Sequence, residues 1–191
     1  MDLLTSLFES EKVCLAPLDH EKDPEIISKW THDASYLRLL GTAPALPASA
    51  ALVKKQYEAL EKEIEESHNL YHFTIRMRED ERLIGFARIH WIEWANGSGN
   101  LQLGIGDPAD RRQGYGSAVL RMLMRFVFNE LNLFRLGANV PEYNTGALRL
   151  FEKAGFTQEV RRRQALNRDG RRWDLLHMGL LREEWLAGLK D

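Results

Sequence analysis

The 191-residue chain predicts an α/β fold of the α+β kind, a mixed and mostly antiparallel sheet flanked by helices. Two observations predict it. Apolar runs that alternate with period 2 and apolar stripes that recur every three to four residues interleave in the order βααβββαβαββ. Consecutive strand-like runs are joined by short polar or Asn-Gly and Asp-Gly turns, the signature of antiparallel neighbours. At roughly 150 residues per domain, the length suits a single domain over residues 1–191.

Each element has its own reason. Val13 to Ala16 is a short strand and Pro24 to His32 a short helix with proline at its start. Gly41-Thr42-Ala43-Pro44-Ala45-Leu46-Pro47 is irregular, since two prolines forbid a continuous helix. Val53, Tyr57, Leu60 and Ile64 then recur among Lys54, Glu58, Glu61 and Glu65, an amphipathic helix from Ser49 to Glu66 with Ser49 as N-cap. Tyr71 to Met77 is a strand ending in Arg78-Glu79-Asp80-Glu81. Leu83 to Trp94 follows, closed by Asn96-Gly97-Ser98-Gly99, where Asn-Gly supplies the positive φ of a tight hairpin, and Leu101 to Ile105 is the fourth strand. Gly116 to Leu131 is a helix with Val119, Leu123, Phe126 and Val127 on one side. Phe134 to Val140 is the fifth strand and Thr145 to Ala154 a helix. Phe156 to Arg163 and Arg172 to Leu180 make a last hairpin across Asn167-Arg168-Asp169-Gly170.

Composition excludes several function classes. With 26 basic and 28 acidic residues, the net charge is −2, which argues against a broad electrostatic grip on nucleic acid. The lone Cys14 excludes an intramolecular disulfide framework and a cysteine-rich zinc site. Met1-Asp2-Leu3-Leu4 lacks a basic leader, and no apolar run approaches the roughly 20 residues of a membrane span. The expected compartment is cytoplasmic, with no membrane partner.

One literal motif match and one serine-bearing turn fail on context. Gly104-Ile105-Gly106-Asp107-Pro108-Ala109 fits the dinucleotide pattern, yet Pro108 to Gly114 intervenes before any helix and no acidic residue ends a second strand about 20 positions on. Gly97-Ser98-Gly99 lacks the strand–turn–helix setting of a serine nucleophile elbow. His68 and His72, four apart, straddle a helix end and do not make a metal pair.

Arg111-Arg112-Gln113-Gly114-Tyr115-Gly116-Ser117 carries more. It joins a strand to an amphipathic helix, its glycines allow close backbone approach, and the helix start offers free N–H groups suited to phosphate oxygens. A second segment starts 28 residues after Gly116: Asn144-Thr145-Gly146-Ala147-Leu148-Arg149-Leu150-Phe151-Glu152-Lys153-Ala154-Gly155-Phe156. Asn144 caps this helix, Leu148 and Phe151 bury one face, and Gly155 ends it. In this order the two segments resemble the GCN5-related N-acetyltransferase (GNAT) superfamily. Its acetyl-CoA loop, Arg/Gln-x-x-Gly-x-Gly/Ala, is matched by Arg111, Gly114 and Gly116, and its downstream signature by Asn144, Ala147, Lys153, Gly155 and Phe156. The ending, from Asp169 through Trp173 to Trp185, is similar to the branch holding ribosomal-protein N-terminal and polyamine acetyltransferases.

The resemblance implies a GNAT fold whose fourth and fifth strands splay apart, acetyl-CoA as cosubstrate and no metal. It implies that Gly104, Ile105 and Gly106 offer backbone groups to the pantetheine arm. Arg111, Arg112, Gln113, Gly114, Tyr115 and Gly116 would wrap the pyrophosphate, Asn144 would reach the thioester end, and Phe151 and Lys153 would line the CoA channel. Many family members place an acid tyrosine seven residues after the asparagine. Here that residue is Phe151, so either CoA leaves as a thiolate or the protein binds acyl-CoA without turnover. Tyr143 and Tyr115 are the substitutes near the motif.

The catalytic candidates for receiving the amine's proton are His90 and Glu93, near the end of the third strand, with His72 on the second. Trp91 and Trp94 beside His90 are candidates for an acceptor pocket or for core packing. The expected acceptor is a primary amine, a protein or peptide N-terminus ahead of a polyamine. A polyamine pocket wants carboxylates, whereas the third strand offers Arg88, His90 and Trp91 beside the single Glu93. Arg161-Arg162-Arg163 with Arg171 and Arg172 reads as a solvated hairpin face, and a homodimer stays open.

Overall fold

The computed structural model describes residues 6–189. Among these residues seven strands form one sheet in the order β1-β2-β3-β4-β5-β7-β6. β1 (Val13–Ala16), β2 (Tyr71–Met77), β3 (Leu83–Glu93) and β4 (Ser98–Ile105) run antiparallel to one another. β5 (Arg135–Pro141) is parallel to β4, and β7 (Arg171–Leu181) lies antiparallel between β5 and β6 (Thr157–Arg168). Among the described residues six α-helices flank the sheet: α1 (Pro24–Thr31), α2 (Ala34–Leu40), α3 (Ala50–Ser67), α4 (Tyr115–Arg125), α5 (Thr145–Lys153) and α6 (Arg182–Gly188). The mixed, mostly antiparallel α/β architecture is the one the sequence predicts.

Alternation along the strands divides the sheet into two faces. One carries Ile75, Ala87, Ile89, Leu101, Leu136, Ala138, Val140, Met178 and Leu180, all buried in one core with Val119, Leu120, Leu123 and Val127. Each of the Ile, Leu, Val and Met side chains stabilises the fold by about 1.5–3 kcal/mol on burial. After Arg125 the helix widens into a π turn over Phe126–Glu130, closed by Leu131 N–H donating to Phe126 O at 3.0 Å, and Phe126, Val127 and Phe128 are all buried. The opposite face carries His72, Phe86, Arg88, His90 and Gln102 in adjacent register positions. Here Tyr57 of α3 meets His72 edge-on at 5.8 Å, and Gln102 Nε2 donates to Leu40 O of α2 at 2.6 Å. Asp23, 1% exposed before α1, takes both carboxylate hydrogen bonds from Arg76 Nη2 at 2.7 and 2.8 Å, tying that helix to β2.

Ser49 caps α3 as expected, its Oγ accepting from Leu52 N–H at 3.2 Å. Three local expectations need correction. The β3–β4 connection is a 3-10 turn over Trp94–Asn96 in which Gly97 has φ +60° and Asn96 is not among the positive-φ residues, so this is not a two-residue Asn-Gly hairpin. The last hairpin is longer: β6 reaches Arg168, and Asp169 and Gly170, with φ 51° and 73°, form the two-residue turn between Arg168 and Arg171. Helices α2 and α6 were not foreseen. No helix among the described residues is long and apolar enough to cross a membrane.

Candidate active site

β4 and β5 pair only from Ser98–Asn100 against Arg135–Gly137, and beyond that point the strands diverge. The splay leaves the β5-facing edge of Leu101–Ile105 without its parallel partner, and backbone groups there are free to meet a ligand. A cleft of about 540 Å³ opens along this edge, walled by Leu103, Gly104 and Ile105 of β4, by Tyr36, Leu39 and Leu40 of α2, and by the starts of α4 and α5. At its inner end a cavity of about 30 Å³ fills the V between the strands, lined by Leu101, Gln102 and Leu103 on one side and Ala138, Asn139 and Val140 on the other.

Two helix N-termini face the cleft. Gly114 has φ 86° and ψ −3°, a left-handed conformation that costs other residues about 1–2 kcal/mol, and it turns the chain into α4 without a side-chain cap. The first-turn residues Tyr115, Gly116 and Ser117 therefore present N–H groups to the cleft wall they line. Arg112, also left-handed at φ 63°, precedes them, and successive amides in such turns make an anion-binding nest. At α5, Asn144 Oδ1 accepts from Ala147 N–H at 3.1 Å, while Thr145 and Gly146 line the cleft. The positive ends of both dipoles, with Arg112, Arg149 and Lys153 on the walls, suit a polyphosphate. Asp110, the acidic group on the wall, is engaged by Arg82 at 2.7 and 2.9 Å, and those hydrogen bonds hold its carboxyl below the usual range.

The remaining predicted residues divide clearly. Gly104, Ile105, Arg111, Arg112, Gly114, Tyr115, Gly116, Asn144 and Lys153 line the cleft. Arg111 acts there as a brace, donating from Nε to Ile105 O at 3.2 Å and from Nη2 to Gly106 O at 2.8 Å. Gly106 does not line it: its N–H donates to Ile84 O at 2.9 Å, its carbonyl receives Arg111, and a Cβ there would lie 2.0 Å from Trp30. Its backbone is thus committed to the sheet, contrary to the expected pantetheine contact. Gln113 is exposed and outside the cleft walls. Phe151 lies deeper than expected, buried against Phe156 at 5.0 Å and lining the inner cavity in place of the main cleft.

The candidates for receiving the amine's proton fall outside both cavities. Glu93 accepts from Asn96 Nδ2 at 3.1 Å and Ser98 Oγ at 3.3 Å, so it organises the β3–β4 turn. His90 packs on Trp91 at 4.5 Å, and burial with the nearby Arg88 pushes its pKa down to about 4. Trp91 and Trp94 are largely exposed, so neither is core. Among the tyrosine substitutes, Tyr143 donates its hydroxyl to Arg38 O at 2.8 Å, leaving it no proton for a leaving group. Tyr36, missed by the sequence reading with the rest of α2, puts a buried phenol on the cleft wall whose pKa burial raises, so it stays protonated.

The comparisons with known proteins bear on this geometry. Residues 12–157 match the acetyltransferase (GNAT) domain family. The chain belongs to this family. It is 36% identical over 111 residues to the probable N-acetyltransferase YjcK of Bacillus subtilis, a match covering 56% of this chain and 56% of that protein. It is 28% identical to the SPbeta prophage-derived N-acetyltransferase YokL of the same organism, over 58% of this chain and 62% of YokL. The chain therefore spans little more than half the length of these relatives. In fold, this GNAT domain superposes on the spermidine N-acetyltransferase of Vibrio cholerae, solved with CoA and spermine, at a TM-score of 0.79 and 19% identity, covering 93% of this chain and 99% of that one.

Proposed function

We propose that this GNAT protein is an acetyl-CoA-dependent N-acetyltransferase that acylates a primary amine, with a protein or peptide N-terminus as acceptor. The observation that carries the reading is the splay. A β-strand edge without its partner leads past two helix N-termini into a cavity of about 30 Å³ in the V, room on the scale of a small acyl group. Acetyl-CoA, bound there, supplies an activated acetyl thioester. Tyr115 to Ser117 and Thr145 to Gly146 would receive its phosphates, aided by Arg112 and Arg149. Gly104 and Ile105 would meet the pantetheine arm, and Leu39 and Leu40 would keep water from the inner end. Asn144 would act through position, since its amide is spent on Ala147 N–H and on Leu39 O, to which Nδ2 donates at 3.1 Å.

The acceptor preference rests on charge. On the sheet face beside the V, β3 presents Arg88 opposite Gln102, a wall of the inner cavity, and its positive charge repels a second cation. A polycation is poorly received there, and a single α-amine is received more easily. The likeness to the Vibrio spermidine enzyme supports the fold and leaves the acceptor to this local argument. The proposed setting is a single cytoplasmic domain, as monomer or homodimer. Phe151 supports a second reading, an acyl-CoA-binding module without turnover.

Calorimetric titration with acetyl-CoA, comparing the native chain with a Gly114→Glu/Gly116→Glu double variant, tests the site. Saturable binding lost in the variant is expected, and no binding by the native chain refutes the function. A thiol-release assay with a free tripeptide, spermidine and an N-acetylated lysine peptide then separates the readings. Turnover of the tripeptide excludes the binding module, and turnover of spermidine alone overturns the acceptor.

A further inference from the structure

The last β4–β5 pair before the splay is Asn100 opposite Gly137, so the apex of the V lies at these residues. Gly137 is bare, and two side chains lean over it. A Cβ built there would lie 2.9 Å from Asn100 Oδ1, 2.9 Å from His177 Cε1 and 3.0 Å from His177 Nε2. His177 comes from β7, opposite Asn139 of β5. Its Nδ1 is 3.0 Å from Asn139 Oδ1, and Asn139 is itself a wall of the inner cavity. With the Asn139 carbonyl accepting, the ring proton sits on Nδ1 and the Nε2 lone pair is left free. Glu159 of β6 stands 3.8 Å from Nε2 and is held by Arg135 of β5 through both guanidinium ends.

We propose that the acceptor amine is received over Gly137 by Asn100 Oδ1 and His177 Nε2, and that His177 is the catalytic base. The inference rests on the acetyltransferase reading and names the residues that serve its amine. An ammonium presents three donors, and Asn100 Oδ1 and His177 Nε2 are two acceptors that lean over the same glycine at the apex of the V. One N–H proton passes to His177 Nε2, and the N–H electron pair stays on nitrogen as the nucleophilic lone pair. In the transfer that acetyl-CoA would supply, the N–C bond forms, the C–S bond breaks, CoA leaves as the thiolate with the sulfur electron pair, and the amine's second proton passes to that thiolate to give the thiol. The imidazolium then returns its proton to solvent. Glu159 stabilises that imidazolium, and its pairing with Arg135 keeps the carboxylate from holding His177 charged at rest. Burial supports the same state, since it lowers the His177 pKa against the pull of Glu159, with Arg135 adding to the fall. Glu184 of α6 acts on Arg135 and so belongs to the same charge set.

The sequence reading passed over His177 because its partners come from separate strands. Three measurements on the intact protein test the inference. In the native chain, the ring resonances of His177 should shift saturably when Ala-Ala-Ala is titrated in without cosubstrate, and this shift should be lost in Gly137→Ala. His177→Gln should leave acetyl-CoA binding unchanged while tripeptide-dependent thiol release falls by about 10²–10⁴-fold at pH 7, and the acid limb of the kcat/KM profile should vanish. Asn100→Ala should raise the KM for the tripeptide more than it lowers kcat. Retained turnover in His177→Gln, or unmoved His177 resonances at saturating tripeptide, overturns the assignment while the acetyltransferase reading stands. A native chain that binds acetyl-CoA but acylates no amine overturns both.

Discussion

Acidification should unfold the α3-covered face of the sheet by way of His72, and the size of the effect can be worked from the structure. The His72 ring stacks on Phe86 at 5.6 Å and 3°, and both ring nitrogens are shut from water without a hydrogen-bond partner. Burial, with Arg88 adding repulsion, pushes its pKa from 6.5 down to about 4. The folded state therefore favours the neutral ring, and the unfolded chain takes up a proton first as pH falls. The stability is fully present above pH 6.5 and is lost as pH falls toward 4. The full difference is about 3 kcal/mol, of which about 2 kcal/mol is gone by pH 5. A loss of that size lowers Tm by about 4–8 °C in a chain of this length. His72→Phe keeps the stack, removes the ionisation and removes two unsatisfied nitrogens. Urea unfolding of both proteins should show the variant ahead at about pH 7.5, with the gap widening by about 2 kcal/mol at about pH 5. A gap that stays constant across that range refutes the reasoning, whatever its sign.

Two further outcomes follow from particular contacts. Asp23→Ala leaves Arg76, a fifth exposed, without its carboxylate and should cost about 3–5 kcal/mol by urea denaturation, since a mostly buried charge loses its partner. Phe151→Tyr places a phenol in the inner cavity, where the buried Gln102 Oε1 lacks a partner. It should raise kcat by about 10²-fold, the low end of the range of general acids, with acetyl-CoA affinity unchanged. An unchanged kcat would show that the leaving group needs no acid.

The cleft wall around the starts of α4 and α5 was legible because it is built from local signals. Gly114 owes its place to a backbone conformation, Asn144 to a helix cap, and the loop before α4 to short-range turn chemistry. Each can be read within a window of about ten residues. Helix α2 could not be read this way. Its seven residues are too few to hold a helix alone, and tertiary donors secure its end: Tyr143 Oη on Arg38 O, Asn144 Nδ2 on Leu39 O and Gln102 Nε2 on Leu40 O. Only Asp33, whose side chain accepts from Ser35 N–H at 2.8 Å, marked its start in the sequence. His90 was a reasonable candidate by residue type, yet register puts it beside Asn100 and a strand away from Gly137. His177 stands 38 residues from Asn139, and no pattern along one strand brings them together.

The polar groups around the V are distributed unevenly, and this bears on the acceptor. On the proposed thiol side, residue 151 is a phenylalanine and Tyr143 has spent its proton on a backbone carbonyl. On the proposed amine side stand an imidazole, a carboxylate and two amides. Such a site can help a nucleophile lose a proton and gives the leaving group little, so it works best where the amine is nearly neutral already. CoA, a thiol with a pKa near 8.5, departs unaided from a nucleophile of comparable basicity. An α-amine at about 7.8 meets that condition. A polyamine nitrogen as basic as lysine, near 10.4, offers roughly 300-fold less neutral amine at pH 7, and a single neutral histidine recovers little of that deficit. The missing acid and the solitary imidazole thus argue together for an N-terminal acceptor, independently of the charge on Arg88.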